Sequence, residues 1–181
     1  DDNYILIVQH PVTEEFAKAS EQIGITMEAV KEFDMPKILV FPNNDAGSLM
    51  IREGIENNRQ GSFYVFSNLR REDYLGFMRH ASCIVGNSSS GLLEAPTFKI
   101  PAVDIGRRQN KRVRGENVIN VPFEKAAIVN AIKKALSKEF RTELDNVCRN
   151  PYGDGKSSER IIEVLLNTPV TDSLLIKNLT Y

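Results

Sequence analysis

Short apolar runs recur along the chain, separated by segments with helical periodicity. The runs are three to five residues long, rich in Ile, Val and Phe, and bounded by polar, Gly or Pro residues. Such runs are typical of strands that a sheet buries on both faces. They predict six strands, at residues 5–9, 38–41, 63–66, 83–85, 102–105 and 118–121.

The segments between the runs predict helices. In residues 124–137, Ala, Ile and Leu recur at the spacing of one helix face. Residues 13–33 place Phe16, Ile23, Met27 and Val30 on one face in the same way. Shorter patterns predict helices at 70–80 and 157–167, and Ser157 or Ser158 could cap the latter.

Regular alternation of strands and helices indicates parallel strands joined by right-handed crossovers. The predicted fold class is therefore α/β, a doubly wound parallel sheet of about six strands that is Rossmann-like. Residues 171–181 do not fit a seventh strand–helix unit. We expect them to be a tail, or a segment that packs on a part of the protein outside this chain.

Composition narrows the function classes. The 181 residues include 23 basic and 24 acidic ones, a net charge of -1, so bulk charge predicts neither a nucleic-acid nor a membrane partner. No apolar run approaches the roughly 20 residues of a membrane-spanning helix, and the acidic N-terminus does not resemble a signal peptide. Cys83 and Cys148 fit no metal-binding spacing, and Cys83 is expected to be a buried, inert thiol. A reduced, cytoplasmic setting is expected.

A run of small residues follows the fourth predicted strand. Gly86, Asn87, Ser88, Ser89 and Ser90 precede a helix that is expected to begin near Ser89 or Ser90. Small side chains let a ligand approach the backbone, and the N–H groups of a first helical turn suit a phosphate. An ordinary turn with a Ser or Asn helix cap explains the same residues equally well.

The charged residues near this turn could either bind a ligand or lie on the surface without a binding role. Glu94, in the helix that follows, could accept hydrogen bonds from ribose hydroxyls or could be a surface carboxylate. The loop 106–115 carries five basic residues, including Arg108, and arginine pairs bidentately with phosphate. This loop could also be merely solvated, and without interleaved aromatic residues it does not favour nucleic acid.

Polar residues also follow the first two predicted strands. Since ligands bind at the carboxyl ends of strands in such sheets, His10 is a catalytic candidate, although a lone histidine is often structural. Asn43 and Asp45 could reach a sugar or could cap the next helix.

Five segments together resemble one known family. QHPVTEE, FPNNDAGS, GNSSSGLLEAPTF, PAVDIGRRQ and NPYGDGKSSERI occur in the order found in UDP-N-acetylglucosamine 2-epimerases. The resemblance spans residues 4 to about 167. The family fold has two Rossmann-like domains facing across a cleft, the arrangement called GT-B. The resemblance therefore implies a C-terminal UDP-binding domain over 1–167, and residues 168–181 as a tail or as packing for the missing N-terminal domain.

The resemblance also implies roles for the candidates. Ser88 and Ser89, with Asn87 in the same turn and the helix start at Ser90, would hold the diphosphate. Arg108 would contact the phosphates, and Glu94 would take the ribose hydroxyls.

Further family roles fall on the other loops. His10 would lie near the diphosphate and assist departure of UDP. The backbone around Leu69 and Arg70 would read the uracil edge, and Asn43 and Asp45 would sit near the sugar.

Two departures from the non-hydrolysing branch of the family match its hydrolysing branch, which feeds sialic acid and related nonulosonic acid pathways. His10 is followed by Pro-Val-Thr, and the phosphate turn reads Ser-Ser-Ser-Gly. The implied reaction removes the C2 proton while UDP leaves C1, giving a 2-acetamidoglucal to which water adds. The free sugar is released with inverted C2.

The family's catalytic carboxylates come from the first domain, so this chain alone is expected to bind UDP and to be inactive. No metal or cofactor is expected. A GT-B glycosyltransferase and a non-enzymatic nucleotide sensor remain alternatives. The sequence leaves open which UDP-sugar is used and whether the full-length protein forms a homo-oligomer.

Overall fold

A six-stranded parallel sheet forms the centre of the molecule. The computed structural model describes residues 3–59 and 61–176. The strands lie in the order β3-β2-β1-β4-β5-β6, which confirms the predicted doubly wound α/β class. All six predicted strands are present within one residue of their expected bounds. They are β1 Ile5–Val8, β2 Lys37–Val40, β3 Phe63–Phe66, β4 Cys83–Gly86, β5 Ala102–Ile105 and β6 Val118–Val121.

The helices agree less closely with the sequence patterns. They are α1 Ala19–Val30, α2 Ser48–Asn58, α3 Arg71–His80, α4 Ser90–Leu93, α5 Lys125–Leu136, α6 Lys138–Val147, α7 Ser157–Asn167 and α8 Asp172–Leu175. Three of them, α2, α6 and α8, match no range among the predicted helices. In α2 the buried face is only Ile51, Gly54 and Ile55. So narrow a stripe gives a weak periodic signal.

The helix predicted over 13–33 begins differently. Thr13–Lys18 forms a 3-10 helix that is interrupted at Glu15, and α1 starts only at Ala19. As expected, Ile23, Met27 and Val30 are buried, but Phe16 is 53% exposed. Phe16 therefore does not belong to the core face on which the sequence pattern placed it.

The core lies on both faces of the sheet. Alternate residues of β1 belong to different clusters: Ile5 and Ile7 to one, and Leu6 and Val8 to the other. Every residue of β1, β4 and β5 is buried. The expectation of strands buried on both faces is wrong for β3 and β6, whose residues are half-buried or exposed because each strand lies at an edge of the sheet.

The strand order brings together the loops that follow β1 and β4. The strand order reverses between β1 and β4, because β2 and β3 lie on one side of β1 and β4, β5 and β6 lie on the other. β1 and β4 pair directly, with Val8 opposite Gly86. In open α/β sheets ligands bind outside the carboxyl ends of the strands at this reversal. The loops that begin at Gln9 and Asn87 therefore start side by side.

The chain divides into two compact units. The first ends at Pro151 and the second begins at Tyr152. No serine caps α7, because its N-cap is Lys156, whose N–H donates to Asp154. The predicted tail lies in the second unit, and its residues 177–181 lie outside the described part of the chain.

Both cysteines are free and buried in the first unit. Burial raises the pKa of Cys83 to about 12, so its thiol is inert, as expected. Among the residues that the structure describes, no helix has the length and apolar character needed to cross a membrane.

Candidate functional site

A cleft of about 270 Å³, the serine cleft, opens at the carboxyl ends of the central strands. It gathers seven of the eleven predicted site residues, and the other four lie outside its lining. The lining residues are Val8, His10, Val40, Phe41, Asn43, Asn68, Leu69, Tyr74, Ser88, Ser89, Ser90 and Arg108.

The turn after β4 forms the floor of the serine cleft. Gly86 has a φ of 138°, and a Cβ added there would lie 2.1 Å from the carbonyl oxygen of Val8. Only glycine allows the backbone to pass so close and to open the turn. Ser88 and Ser89 are half-buried at the cleft. Their backbone N–H groups have no hydrogen-bond partner within the described residues, so both can donate to a ligand.

The helix after this turn is shorter than expected. α4 covers only Ser90–Leu93, and a 3-10 helix over Ala95–Phe98 follows it. A helix of four residues carries little of a macrodipole, so the expected attraction of its N-terminus for phosphate is weak. An anion at this position would therefore be bound by the N–H groups of the turn, those of Ser88 and Ser89, and not by the helix dipole. Glu94 lies at the junction of the two helices and not within a continuous helix.

Three hydroxyl groups form a chain along the floor of the serine cleft. The Tyr74 hydroxyl lies 2.5 Å from Ser90 Oγ, and Ser90 Oγ donates to Ser88 Oγ at 2.9 Å. Tyr74 was not among the predicted site residues. Its place in α3 beside Phe77 and Met78 makes its sequence context typical of a core aromatic.

Asn87 lies beneath the serine cleft and joins its loops. The residue is fully buried, and its side-chain amide accepts the His10 N–H at 2.7 Å and donates to the His10 carbonyl at 2.9 Å. Its own carbonyl accepts Gln109 Nε2 at 2.7 Å. Since both ends of the amide are engaged, Asn87 positions the ligand-binding loops and does not offer its side chain to a ligand.

His10 enters the serine cleft from the loop after β1. The residue is only 7% exposed, and burial, helped by the nearby Arg108, lowers the pKa of its imidazole to about 4. The imidazole is therefore neutral at pH 7. Its Nδ1 faces the backbone N–H of Asn43 at 3.4 Å, an arrangement that leaves a proton on Nε2. His10 can thus donate one hydrogen bond.

Glu94 carries an unpaired buried oxygen. Its side chain is 26% exposed, and Oε1 lies 3.8 Å from Arg71 Nη1. The other carboxylate oxygen, Oε2, is buried and has no hydrogen-bond partner among the described residues. The Glu94 N–H donates to the carbonyl of Ser90 at 3.0 Å, so Glu94 lies close to the serine cleft. An unsatisfied buried acceptor is unusual and suits a ligand that brings hydroxyl groups.

The basic loop after β5 is more neutralised than its sequence suggests. Arg107 pairs with Glu15, Arg108 Nη2 lies 3.8 Å from Asp45 Oδ2, and Arg114 Nη2 lies 3.2 Å from Asp104 Oδ2. Of the basic residues of this loop, only Arg108 lines the serine cleft. The loop is therefore not the unopposed positive patch that composition indicated.

A second cleft adjoins the first at Arg108. This arginine cleft has a volume of about 430 Å³ and is bordered by Asp45. Asp45 thus faces the arginine cleft, whereas Asn43 lines the serine cleft. Neither side chain caps α2, whose N-cap is Gly47. The residues lining the arginine cleft are Pro11, Val12, Thr13, Glu14, Asp45, Arg107, Arg108, Asn110 and Lys111.

The remaining two predicted residues lie where α3 begins. Leu69 lines the serine cleft, and its N–H donates to Asn68 Oδ1 at 2.9 Å. Arg70 is the N-cap of α3, and its side chain, 80% exposed, pairs with Asp73 at 2.9 Å. The Arg70 side chain therefore points away from the serine cleft. Among the described residues, no group of three or more His, Cys, Asp or Glu side chains could hold a metal ion.

Comparisons with known proteins show the family to which this chain belongs. The family model described as UDP-N-acetylglucosamine 2-epimerase matches residues 1–166. A UDP-N,N'-diacetylbacillosamine 2-epimerase (hydrolyzing) of Legionella pneumophila is 32% identical, over 98% of this chain and 46% of its own length. A GDP/UDP-N,N'-diacetylbacillosamine 2-epimerase (hydrolyzing) of Campylobacter jejuni is 35% identical, over 98% of this chain and 47% of its own length.

Solved structures agree on the fold. The UDP-GlcNAc 2-epimerase of Neisseria meningitidis, solved with UDP-GlcNAc bound, superposes with a TM-score of 0.73 at 20% identity. The match covers 92% of this chain and 45% of that structure. The chain thus spans about half the length of the curated relatives it matches.

Proposed function

Since the chain belongs to the UDP-N-acetylglucosamine 2-epimerase family, we propose that it is the nucleotide-binding half of a hydrolysing UDP-sugar 2-epimerase. It supplies the UDP site, and the remaining half of the protein supplies the base that acts on the sugar. The share of the relatives that the chain spans supports this division. We also propose a reducing, cytoplasmic setting, which the two free, buried cysteines support.

The diphosphate binds at the floor of the serine cleft, over the turn formed by residues 86–90 after β4, here called the serine turn. The N–H groups of Ser88 and Ser89 and the Ser88 hydroxyl supply donors, and Arg108 supplies positive charge from the other side. Arg108 is held by weak contacts, 3.4 Å to the Asn87 carbonyl and 3.8 Å to Asp45. A phosphate can therefore compete for its guanidinium group at little cost.

The buried, unpaired Oε2 of Glu94 is the observation that carries the proposal. A ribose presents two adjacent hydroxyl groups, and each can donate to one oxygen of a carboxylate. Glu94 Oε1 has only a 3.8 Å contact with Arg71, and Oε2 has no partner among the described residues, so no strong hydrogen bond within the chain competes with the ribose for this carboxylate. The carboxylate lies beside the serine turn, on the side toward Tyr74, so the nucleoside lies toward α3 and Leu69.

The sugar extends from the diphosphate toward the arginine cleft. His10 and Asn43 lie in the serine cleft and Asp45 borders the arginine cleft, while Arg108 lines both. The neutral His10 donates its Nε2 proton toward the oxygen that bridges the sugar C1 and the diphosphate. This hydrogen bond stabilises the charge that develops as UDP departs.

Removal of the C2 proton needs a positioned base because this proton is weakly acidic. Three carboxylates of this chain near the two clefts have other tasks, and the fourth, Glu14 at the arginine cleft, is exposed to solvent and has no partner among the described residues that would position it as a base. Asp45 faces Arg108, Glu15 pairs with Arg107, and Glu94 takes the ribose. The base therefore comes from the other half of the protein, and water then adds to the glucal intermediate.

The sugar is N-acetylglucosamine or a 2,4-diacetamido trideoxy analogue. The names of the two bacterial relatives, each a diacetylbacillosamine 2-epimerase, favour the analogue. Both sugars would share one nucleotide site. Full-length protein given each UDP-sugar alone distinguishes them by the rate of UDP release. The same assay separates an epimerase from a glycosyltransferase, which waits for an acceptor.

Titration of the chain with UDP by calorimetry tests the nucleotide site. Glu94→Ala removes a charge-assisted hydrogen bond, which contributes about 1.5–3 kcal/mol. We therefore expect UDP binding to weaken roughly 10- to 150-fold, at 1.4 kcal/mol per tenfold change.

Glu53→Ala is the matched control, because Glu53 is an exposed glutamate on α2 away from both clefts. It should bind UDP as the wild type does. Unchanged UDP binding by Glu94→Ala would refute the proposal that Glu94 accepts the ribose hydroxyls, but it would not refute the nucleotide site. Absence of binding at millimolar UDP would refute the site itself in this chain.

A further inference from the structure

The three hydroxyls on the floor of the serine cleft determine which way the Ser88 proton points. Ser88 Oγ accepts from Ser90 Oγ at 2.9 Å and from the Ser90 N–H at 3.3 Å. A hydroxyl oxygen has two lone pairs and one proton. Both lone pairs of Ser88 are thus occupied, and only its proton remains available to a ligand.

The Tyr74 hydroxyl fixes the direction of the chain. Ser90 has a single hydroxyl proton, which it donates to Ser88, so its contact with Tyr74 at 2.5 Å requires Tyr74 to donate. A phenol is a stronger donor than an aliphatic hydroxyl, which favours the same direction. Burial raises the pKa of Tyr74, so the phenol keeps its proton at neutral pH.

Burial keeps water from competing for the hydrogen bonds of Ser90, so the direction of donation from Tyr74 through Ser90 to Ser88 is preserved. Ser90 is only 6% exposed, whereas Ser88 is half-buried at the cleft surface. The chain therefore runs from a buried donor to an accessible one. Hydrogen bonds in such chains polarise one another, so the last proton becomes a better donor.

We propose that Tyr74 is a positioning residue that, through Ser90, holds the Ser88 hydroxyl as an obligate donor to an ionised phosphate oxygen. This inference rests on the proposed UDP site and assigns to it a preference for groups that only accept hydrogen bonds. A phosphate oxygen satisfies this requirement, whereas a ligand group that must donate to Ser88 does not.

Tyr74→Phe tests the inference because it keeps the ring and removes only the hydroxyl. Without Tyr74 as donor, Ser90 can accept from Ser88, and the Ser88 proton can turn away from the ligand. We expect UDP affinity to fall about 3- to 10-fold, the range of one neutral hydrogen bond. Uridine has no phosphate, so its affinity, measured by competition with UDP, should not change.

Two further variants sharpen the test. Tyr64→Phe removes the hydroxyl of a tyrosine that is 59% exposed on β3 and should leave both affinities at the wild-type value. Tyr74→Phe combined with Ser90→Ala should bind UDP within about twofold of the weaker single variant, because both changes interrupt the same chain.

The outcomes separate the two proposals. Absence of UDP binding by the wild-type chain would refute the proposed function before any variant is made. If the wild type binds UDP, unchanged UDP affinity in Tyr74→Phe would refute the role of Tyr74 alone. An equal loss of UDP and uridine affinity would also refute it, since a structural defect does not distinguish the two ligands.

Discussion

At the scale of single residues, the serine cleft combines groups whose chemistry the sequence could name with groups that only the fold explains. Ser88, Ser89 and Arg108 were identifiable because their side chains suit phosphate. The positioning role of Asn87 was not, since an asparagine in a Ser-rich turn has the same sequence context whether it faces the ligand or lies beneath it. Its full burial and its two bonds to His10 decide the matter.

The buried His10 should make stability depend on pH. Its folded-state pKa is lowered from 6.5 to about 4, so between these values the unfolded chain binds more protons and stability falls as pH falls. We expect this residue to remove about 2 kcal/mol of unfolding free energy between pH 7 and pH 5. Urea unfolding of the wild type and of His10→Asn at the two pH values measures this contribution.

The second histidine provides the control for this measurement. His80 is exposed at the end of α3, so His80→Asn should keep the pH dependence of the wild type. His10→Asn should show a dependence weaker by about 2 kcal/mol, the contribution removed with its imidazole. Equal pH dependence in all three proteins would mean that His10 does not titrate abnormally.

At the scale of elements, the strands were predictable and the helices only partly so. A strand buried among parallel neighbours is a continuous apolar run, which the sequence displays directly. The helix α2 packs against α1 at Gly54, where an added Cβ would lie 2.4 Å from the Ile23 side chain. A helix docked through a glycine leaves little apolar periodicity to detect. The brevity of α4 was less hidden, because Pro96 is a visible signal against a continuous helix, and a 3-10 helix begins there.

Gly86 ends β4 where the backbone passes close to Val8 of β1 and the serine turn begins. Its replacement should therefore lower the free energy of unfolding. In Gly86→Ala the new Cβ would lie 2.1 Å from the Val8 carbonyl oxygen, with a φ of 138° that side chains rarely adopt. We expect a loss of about 3 kcal/mol or more of unfolding free energy. Chemical denaturation is the measurement, and UDP affinity should fall with it because Ser88 and Ser89 follow this residue.

Gly76→Ala is a matched change within a helix. Nothing lies within 4 Å of a Cβ at Gly76, which is exposed in α3. Alanine should therefore stabilise the protein by about 0.5–1 kcal/mol through helix propensity. If both alanine variants had similar stability, the close approach of β4 to β1 would not be the constraint that the geometry indicates.

At the scale of the whole molecule, the second unit does not itself bury the apolar side chains of its helix α7. No residue of α7 is buried, and Ile161, Ile162, Val164, Leu165 and Leu166 are each at least 55% exposed. A row of this kind is typical of an interaction surface. We propose that α7, with residues 168–181, packs on the remaining half of the full-length protein. Slower amide exchange of α7 in that protein than in this chain is the expected result, and equal exchange would contradict it.

The proposed division of functions between two halves of the protein leads to a prediction about activity. The isolated chain should bind UDP but release none from UDP-N-acetylglucosamine, because removal of the weakly acidic C2 proton needs a positioned base that the proposed site does not supply. The proposed site offers donors and one neutral histidine on the diphosphate side, its nearby carboxylates Asp45 and Glu15 face arginines, and Glu14 is exposed at the arginine cleft. A coupled assay for UDP is the measurement, with the full-length protein as the positive control. Turnover by the chain alone that is lost in His10→Asn would show that the catalytic base lies within these 181 residues, and the assignment of Asp45 to Arg108 would then have to be abandoned first.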